Sequence, residues 1–274
     1  MLNKRQTALL NFIARNGEAK NAELQALNGD YSTMTLWRDL DKLEAEGFIK
    51  RVWGGAVISG SVEKEREHNF NFRIKQNTEA KEEISRIAAG LVKPSHSYYF
   101  DAGSTIYTMT RFLSDERYTI ITSAANVAVE LAHRSKCSVT LLGGQLDAVT
   151  LSCSGSQSLE MLEDLNVEIA VMATSGYSSH SGFTCGSLNE SQLKKRVINK
   201  SLLTIMLLDH DKIGKNLPYT FSNLGNIDIL IVDELSEELR IDAARHNITL
   251  FGPGDGLTNE ERLSVCEHIN RRSS

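Results

Sequence analysis

The chain has 274 residues, of which 41% are hydrophobic, 24% are charged and only 3 are proline. This composition excludes a disordered chain, a collagen-like chain and a small disulfide-stabilised protein, and the length predicts about two domains. No apolar run approaches the roughly 20 residues of a membrane span, and polar residues interrupt the N-terminal apolar stretch, so we expect a cytoplasmic protein.

The charge is unevenly distributed along the chain. The net charge of −5 argues against a nucleic-acid partner, because phosphate binding requires clustered Lys and Arg. Residues 1–58, however, carry eight basic and seven acidic side chains, so this part sums to +1 and the remainder to −6. A local basic surface is therefore compatible with the sequence.

Residues 1–58 show the apolar spacing of three short helices followed by a β-hairpin. The third helix is predicted between Ser32, as its N-cap, and Gly47. Apolar residues then alternate around Gly54 and Gly55, which predicts a two-stranded wing. The predicted core positions of the third helix are Leu36, Leu40 and Leu43.

Beyond a predicted linker, 59–69, the pattern changes to short apolar runs that alternate with helical segments. This alternation predicts βα units around a mostly parallel sheet in a domain spanning 70–252, followed by a tail, 253–274, with one possible helix at 259–270. The predicted strands are 98–100, 119–121, 139–142, 170–173, 203–208, 227–232 and 248–251. The predicted helices are 79–92, 106–113, 126–134, 157–165, 191–201 and 237–246.

The third helix and the wing are candidates for DNA binding. A helix-turn-helix places its second helix in the major groove, where polar side chains touch base edges and basic ones touch phosphates. The alternative is a small packing domain whose charged side chains are simply solvated. The outward residues expected to meet DNA are Thr35, Arg38, Lys42, Lys50 and Arg51.

The same residues resemble the winged helix-turn-helix of DeoR-family transcriptional regulators. The matching positions are Ser32, Thr35, Arg38, Asp39, Leu40, Leu43, Glu44, Gly47, Arg51, Gly54, Gly55 and Ala56. Two residues depart from the pattern, because Trp37 replaces an arginine and Trp53 replaces a histidine. The lost arginine removes a guanidinium that can bind a base or phosphate, whereas tryptophan offers stacking and apolar contact. The resemblance adds Ser32, Thr33, Trp37 and Trp53 to the predicted DNA-binding residues.

In the second domain, the residues from Asp101 to Thr105 follow a predicted strand and lead into a helix. Small residues, hydroxyls and free N–H groups at such a position favour a phosphate, although an ordinary βα turn is the commoner explanation. Glycine and hydroxyl residues follow other strands as well, and each alone is typical of turns.

Together these motifs resemble the effector domain of the same family over most of 70–233. The resemblance implies the fold of ribose-5-phosphate isomerase and glucosamine-6-phosphate deaminase, and a sugar-phosphate effector. Two residues again depart from the pattern, Ser123 in place of asparagine and Asp211 in place of serine. The implied effector-binding residues are Asp101, Gly103, Ser104, Thr105, Thr122, Ser123, Gly143, Gly144, Gly176, Glu190, Lys194, Asp209 and Lys212.

Physical chemistry offers a role for the charged members of this set. Lys194 and Lys212 can neutralise a phosphate, while Asp101 and Glu190 can accept sugar hydroxyls. The alternative is that Glu190 and Lys194, four residues apart, form an ordinary surface ion pair.

These observations predict a transcriptional regulator, most simply a repressor of a carbohydrate-utilisation operon, that binds operator DNA and a phosphorylated sugar or polyol and forms a homo-oligomer. One alternative is a sugar-phosphate isomerase or deaminase with an accessory N-terminal domain; another is a protein-interaction module. Hydrolase, zinc-protease, P-loop and dinucleotide motifs are missing from the sequence. We therefore expect neither enzymatic activity, nor a cofactor, nor a metal site, nor a membrane partner.

Overall fold

A computed structural model of the chain describes residues 2–16, 18–27, 31–52, 54–58, 70–94, 96–134 and 136–254. The chain divides into two compact units, Met1–Arg66 and Glu67–Ser274. The predicted linker at 59–69 and the predicted tail helix at 259–270 lie outside the described residues, so both stay predictions.

The N-terminal unit contains the three predicted helices and a small antiparallel sheet. The helices are α1 (Lys4–Asn16), α2 (Asn21–Leu27) and α3 (Thr33–Ala45). The strands are β1 (Glu18–Lys20), β2 (Ile49–Val52) and β3 (Gly55–Ile58), in the order β1-β3-β2.

Helix α3 forms where the sequence predicts it. The Ser32 side chain accepts a hydrogen bond from the Thr35 amide at 3.3 Å and so caps the first turn. Leu36, Leu40 and Leu43 are fully buried, as predicted. The apolar face of α3 therefore packs on the core and leaves its polar face exposed.

The wing has three strands rather than the two that the sequence predicts. The additional strand β1 pairs with β3 in antiparallel register, Ala19 opposite Ala56. A Cβ atom at Gly55 would collide with the Ala19 carbonyl, so glycine is required where β1 approaches β3. Sequence periodicity does not detect a strand of only three residues.

The C-terminal unit is built on a parallel sheet of seven strands, which confirms the predicted parallel α/β domain. The sheet order is β15-β14-β12-β9-β4-β5-β6. These strands are β4 (Ser97–Phe100), β5 (Thr119–Thr122), β6 (Ser138–Leu141), β9 (Ile169–Ala173), β12 (Leu203–Leu208), β14 (Ile229–Val232) and β15 (Thr249–Phe251).

The six predicted helices that fall within the described residues are present, each with limits within three residues of the prediction. A short helix, α4, was not predicted. The helices are α4 (Phe70–Arg73), α5 (Thr78–Leu91), α6 (Ser104–Thr110), α7 (Ala125–Ala132), α8 (Ser156–Glu163), α9 (Leu188–Lys200) and α10 (Glu237–Arg245).

Two hydrophobic cores cover the two faces of the sheet. Tyr98 and Phe100 belong to one core and Tyr99, between them, belongs to the other, because successive side chains of a strand point to opposite faces. Both faces are thus buried, which is why the strands show continuous apolar runs instead of alternation.

Short antiparallel elements near the carboxyl edge of the sheet escaped prediction, because strands of two to four residues carry little periodicity. Strands β7 and β8 form a hairpin, and β10, β11 and β13 form a three-stranded sheet. Their limits are β7 (Gln145–Leu146), β8 (Cys153–Ser154), β10 (Gly176–Ser178), β11 (Gly182–Cys185) and β13 (Tyr219–Ser222).

Candidate functional site

The predicted DNA-binding residues lie on the outer side of α3 and on the wing. Arg38 and Lys50 are exposed, while Thr35, Trp37 and Arg51 are half-buried. Trp53 lies outside the described residues. The exposed remainder of the predicted set is Ser32, Thr33 and Lys42.

Buried Asp39 attaches α1 to α3. It accepts a hydrogen bond from the Gln6 side chain at 2.8 Å and forms an ion pair with Arg5. The hydrogen bond to Asp39 raises the pKa of Arg5 above its ordinary value. The carboxylate at this position therefore holds α3 against α1 instead of facing solvent.

A pocket opens at the carboxyl edge of the large sheet, where the chain order of the strands reverses between β4 and β9. Ligands of open α/β sheets bind at such a switch point. The β4–α6 loop and the end of β9 supply small residues and hydroxyls. Three cationic side chains and one carboxylate also line the pocket. The lining residues are Arg73, Ala102, Gly103, Ser104, Thr105, Ala173, Thr174, Ser175, Lys194, Leu207, Asp209 and Lys212.

Lys194 is the most deeply buried cation of the pocket. Its Nζ forms an ion pair with Asp101, lies 3.3 Å from a Glu190 carboxylate oxygen and donates to the Ala173 carbonyl at 3.1 Å. The three charged side chains are at most 8% exposed, so the alternative of an ordinary surface pair is wrong. Burial alone would lower the pKa of Lys194, but the charges of Asp101 and Glu190 raise it well above its ordinary value.

The Asp101 carboxylate is engaged in contacts within the protein. The oxygen that pairs with Lys194 also accepts the Ala173 amide, at 3.0 Å. Asp101 consequently fixes the end of β4 to the end of β9, and Lys194 carries less free positive charge toward a ligand than its place in the pocket suggests.

Arg73 and Lys81 were not among the predicted site residues. Arg73 lies at the end of α4, is buried and lines the pocket. Lys81, also buried, donates from Nζ to the Arg73 carbonyl at 2.7 Å and to the Gln76 carbonyl, and so holds the chain that carries Arg73. Burial lowers the pKa of Lys81 to about 8, with Arg73 and Lys212 acting in the same direction and Asp209 opposing them.

Lys212 reaches the pocket from a 3₁₀ turn, His210–Lys212, that follows β12. The turn is fixed by Asp233 at the end of β14, which accepts the His210 amide at 2.8 Å and pairs with the His210 ring. That ring bond raises the pKa of His210. The neighbouring Asp211 accepts a hydrogen bond from the Asn77 side chain at 2.6 Å, so the turn is also tied to the start of α5.

Two family models match the chain: the DeoR-like helix-turn-helix domain over residues 5–62 and the DeoR C terminal sensor domain over residues 76–234. The chain belongs to the DeoR family.

Relatives of the DeoR-family chain support the same assignment. The HTH-type transcriptional regulator GolR of Listeria innocua is 33% identical over 231 residues, covering 84% of this chain and 90% of that protein. The HTH-type transcriptional repressor GlcR of Bacillus subtilis is 30% identical over 244 residues, covering 89% and 93%. Like these relatives, the chain is a DNA-binding transcriptional regulator, and the alternative of an isomerase or deaminase is wrong.

A distant structural likeness exists to ribose 5 phosphate isomerase A from Neisseria gonorrhoeae, with a TM-score of 0.37, 14% identity and coverage of 50% of this chain and 54% of that one. Within the described residues, no helix has the length and apolar character needed to cross a membrane.

Several DeoR-pattern residues proposed as ligand contacts lie outside the pocket lining and make contacts within the protein. Thr122 donates to the Phe100 carbonyl at 2.6 Å and accepts the Ala124 amide. Ser123 is hydrogen-bonded by the Tyr99 hydroxyl at 2.8 Å. These contacts join β5 to β4.

Two of the DeoR-pattern glycines, Gly144 and Gly176, are explained by close backbone approach, whereas a Cβ at Gly143 would meet no atom within 4 Å. Gly144 has a φ of +123°, and a Cβ there would lie 2.6 Å from both the Ser154 carbonyl oxygen and the Ser158 hydroxyl. The Gly143 carbonyl accepts a bond from Ser158. At Gly176 a Cβ would collide with the backbone of the segment after Lys212.

Proposed function

We propose that this regulator is a repressor of a carbohydrate-utilisation operon and that a phosphorylated sugar or polyol, bound in the switch-point pocket, controls its affinity for operator DNA. The observation that carries the proposal is the convergence of Arg73, Lys212, Ser104 and Thr105 on one pocket. Guanidinium and ammonium groups with hydroxyl donors suit a phosphate.

The charge balance of the pocket indicates where the phosphate would sit. Lys194 forms ion pairs with Asp101 and Glu190, whereas Arg73 and Lys212 line the same pocket as Ser104 and Thr105. In this proposal the phosphate lies beside the Ser104 and Thr105 hydroxyls, and the remainder of the ligand extends toward Thr174 and Ser175, which line the same pocket.

A panel of sugar and polyol phosphates, screened by thermal unfolding, tests this function. A specific compound at 100 times its Kd is expected to add about 2.7 kcal/mol to stability, and its unphosphorylated analogue nothing. Thr105→Ala and Lys212→Ala are expected to abolish the shift. Lys195→Ala, which removes an exposed lysine next to Lys194, is the matched control and should respond like wild type. An unchanged response in both pocket variants would place the ligand elsewhere.

Ligand binding should also be linked to protonation of Lys81. Arg73, Lys212 and Asp209 already act electrostatically on Lys81, whose pKa is about 8. A phosphate dianion placed between these groups raises that pKa, so at pH 8 binding takes up about half a proton and affinity falls as the pH rises above 8.

Calorimetry at pH 8 in two buffers of different ionisation enthalpy measures this uptake. Lys81→Arg keeps the charge and the donors but does not titrate, and it should bind without the uptake. Equal proton uptake in the variant and in wild type would contradict the assignment to Lys81.

A second copy of the chain is the protein partner that we propose. Paired winged helices read paired half-sites, which increases both affinity and site length. Large apolar side chains are exposed around the edge strand β6, namely Val129, Leu141, Leu146 and Val149. Sedimentation at micromolar concentration distinguishes a dimer or larger assembly from a monomer.

A further inference from the structure

The side chains of Arg51, Trp37 and Asp41 form a cluster that joins the wing to α3. The Arg51 Cζ lies 4.7 Å from the centroid of the Trp37 ring, and an Arg51 nitrogen lies 2.5 Å from an Asp41 carboxylate oxygen. The Arg51 amide also donates to the Glu44 side chain at 2.7 Å. An arginine of the wing is thus folded back onto the third helix.

The cluster lies on the exposed side of α3. Trp37 and Asp41 are four residues apart and therefore share one face, which is rotated away from the buried Leu36 and Leu40. In a helix-turn-helix this outer side of the second helix enters the major groove. The Arg51 guanidinium consequently lies on the surface that meets base edges, although wing residues commonly meet the phosphate backbone.

Stacking on an indole leaves the edge of a guanidinium free for hydrogen bonding. A guanidinium edge is the group that binds the O6 and N7 atoms of guanine with two parallel hydrogen bonds. Asp41 occupies part of this edge without DNA, but its side chain is 60% exposed and that of Arg51 36%. An ion pair of such exposure is weak, so a base edge can displace it.

We propose that Trp37 is a positioning residue for Arg51, and that Arg51 reads a guanine edge in the major groove instead of contacting the DNA backbone. Trp37 replaces an arginine of the DeoR pattern, and its ring brings a guanidinium from the wing back to the helix face that lost one. On DNA that lacks this guanine, Arg51 stays paired with Asp41, and the Asp41 carboxylate disfavours binding.

The test uses the full chain and a duplex selected by wild type from a random-sequence library, compared with an unselected duplex. Arg51→Lys and Trp37→Leu are expected to weaken binding to the selected duplex by about 5-fold to 150-fold, as for one bidentate base contact, and to change binding to the unselected duplex little. Trp37→Phe, which keeps an aromatic ring, should retain most of the wild-type affinity for the selected duplex. The double variant, Arg51→Lys with Trp37→Leu, should lose little more affinity for the selected duplex than either single variant.

Arg240→Lys serves as the control, because Arg240 is an exposed arginine of α10 in the C-terminal unit, and this variant is expected to bind both duplexes like wild type. Asp41→Asn is expected to strengthen binding to the unselected duplex, since the competing carboxylate is gone. An equal loss on both duplexes, with a salt slope lowered by about 0.9, would make Arg51 a phosphate contact and overturn the proposal. Unchanged binding by well-folded Arg51→Lys would overturn it as well.

Discussion

Lys194→Met is expected to lower the free energy of unfolding by about 3 to 5 kcal/mol, because it leaves buried carboxylates without their counter-charge. Asp101 and Glu190 both pair with Lys194 in surroundings where the three side chains are at most 8% exposed. The Ala173 carbonyl loses a donor at the same time.

Chemical denaturation of wild type and Lys194→Met at pH 7 measures the loss of unfolding free energy. Lys195→Met, at the exposed neighbouring position of the same helix, should change stability by less than about 0.5 kcal/mol. Adding Asp101→Asn to Lys194→Met should recover part of the loss, because one uncompensated charge is removed. If Lys194→Met were as stable as the control, the Lys194 ammonium group would not be needed to compensate the charges of Asp101 and Glu190.

A structural role for Lys194 changes how the family motif is understood. Sequence reasoning offered its side chain as a phosphate ligand and Asp101 as an acceptor for sugar hydroxyls. In the structure the pair joins β4, β9 and α9 beneath the pocket, and Asp101 also holds the Ala173 amide. Lys194 lines the pocket, but its ammonium group is already held by Asp101 and Glu190 within the protein.

The large elements of the fold were predictable because each has a strong local signal. The leucines of α3 repeat at helical spacing, and the seven parallel strands are continuous apolar runs between helical segments. The loop after β4 was also recognisable, since it combines glycine and hydroxyl residues at a strand end.

The contributions of Arg73 and Lys81 were not predictable in this way. Arg73 belongs to a four-residue helix with no periodicity, and its place beside Lys212 depends on contacts across the sheet. Lys81 is a charged residue in a regular amphipathic helix, where solvent exposure is the usual outcome. Its two bonds to backbone carbonyls exist only once the preceding turn has folded against it.

Helix α4 connects the pocket with the start of the sensor unit. Phe70, at its first position, is the residue that follows 59–69 in the chain, and its amide donates to the Val149 carbonyl at 2.8 Å. The Phe70 ring packs edge-on against Tyr107, with centroids 5.3 Å apart. Tyr107 belongs to α6, which begins with Ser104 and Thr105, so two pocket-lining helices meet at Phe70.

Phe70→Leu is accordingly expected to keep both ligand binding and DNA binding but to weaken the coupling between them. In wild type, an effector that couples by 1 to 3 kcal/mol changes DNA affinity about 5-fold to 150-fold. Loss of the contact between α4 and α6 should bring this factor close to 1, because Phe70 is then no longer packed against the helix that begins with Ser104 and Thr105.

Anisotropy titrations with DNA, with and without the stabilising sugar phosphate, measure the coupling factor, and calorimetry with and without DNA must give the same factor by reciprocity. Thr105→Ala loses the response by losing the ligand, whereas Phe70→Leu loses it with the ligand still bound, so the two defects are distinguishable. Phe112→Leu changes a half-buried aromatic residue that packs under Arg86 and should couple like wild type. If Phe70→Leu retains the full coupling factor, the coupling between ligand and DNA binding does not depend on the contact between Phe70 and Tyr107, and this contact contributes to packing alone.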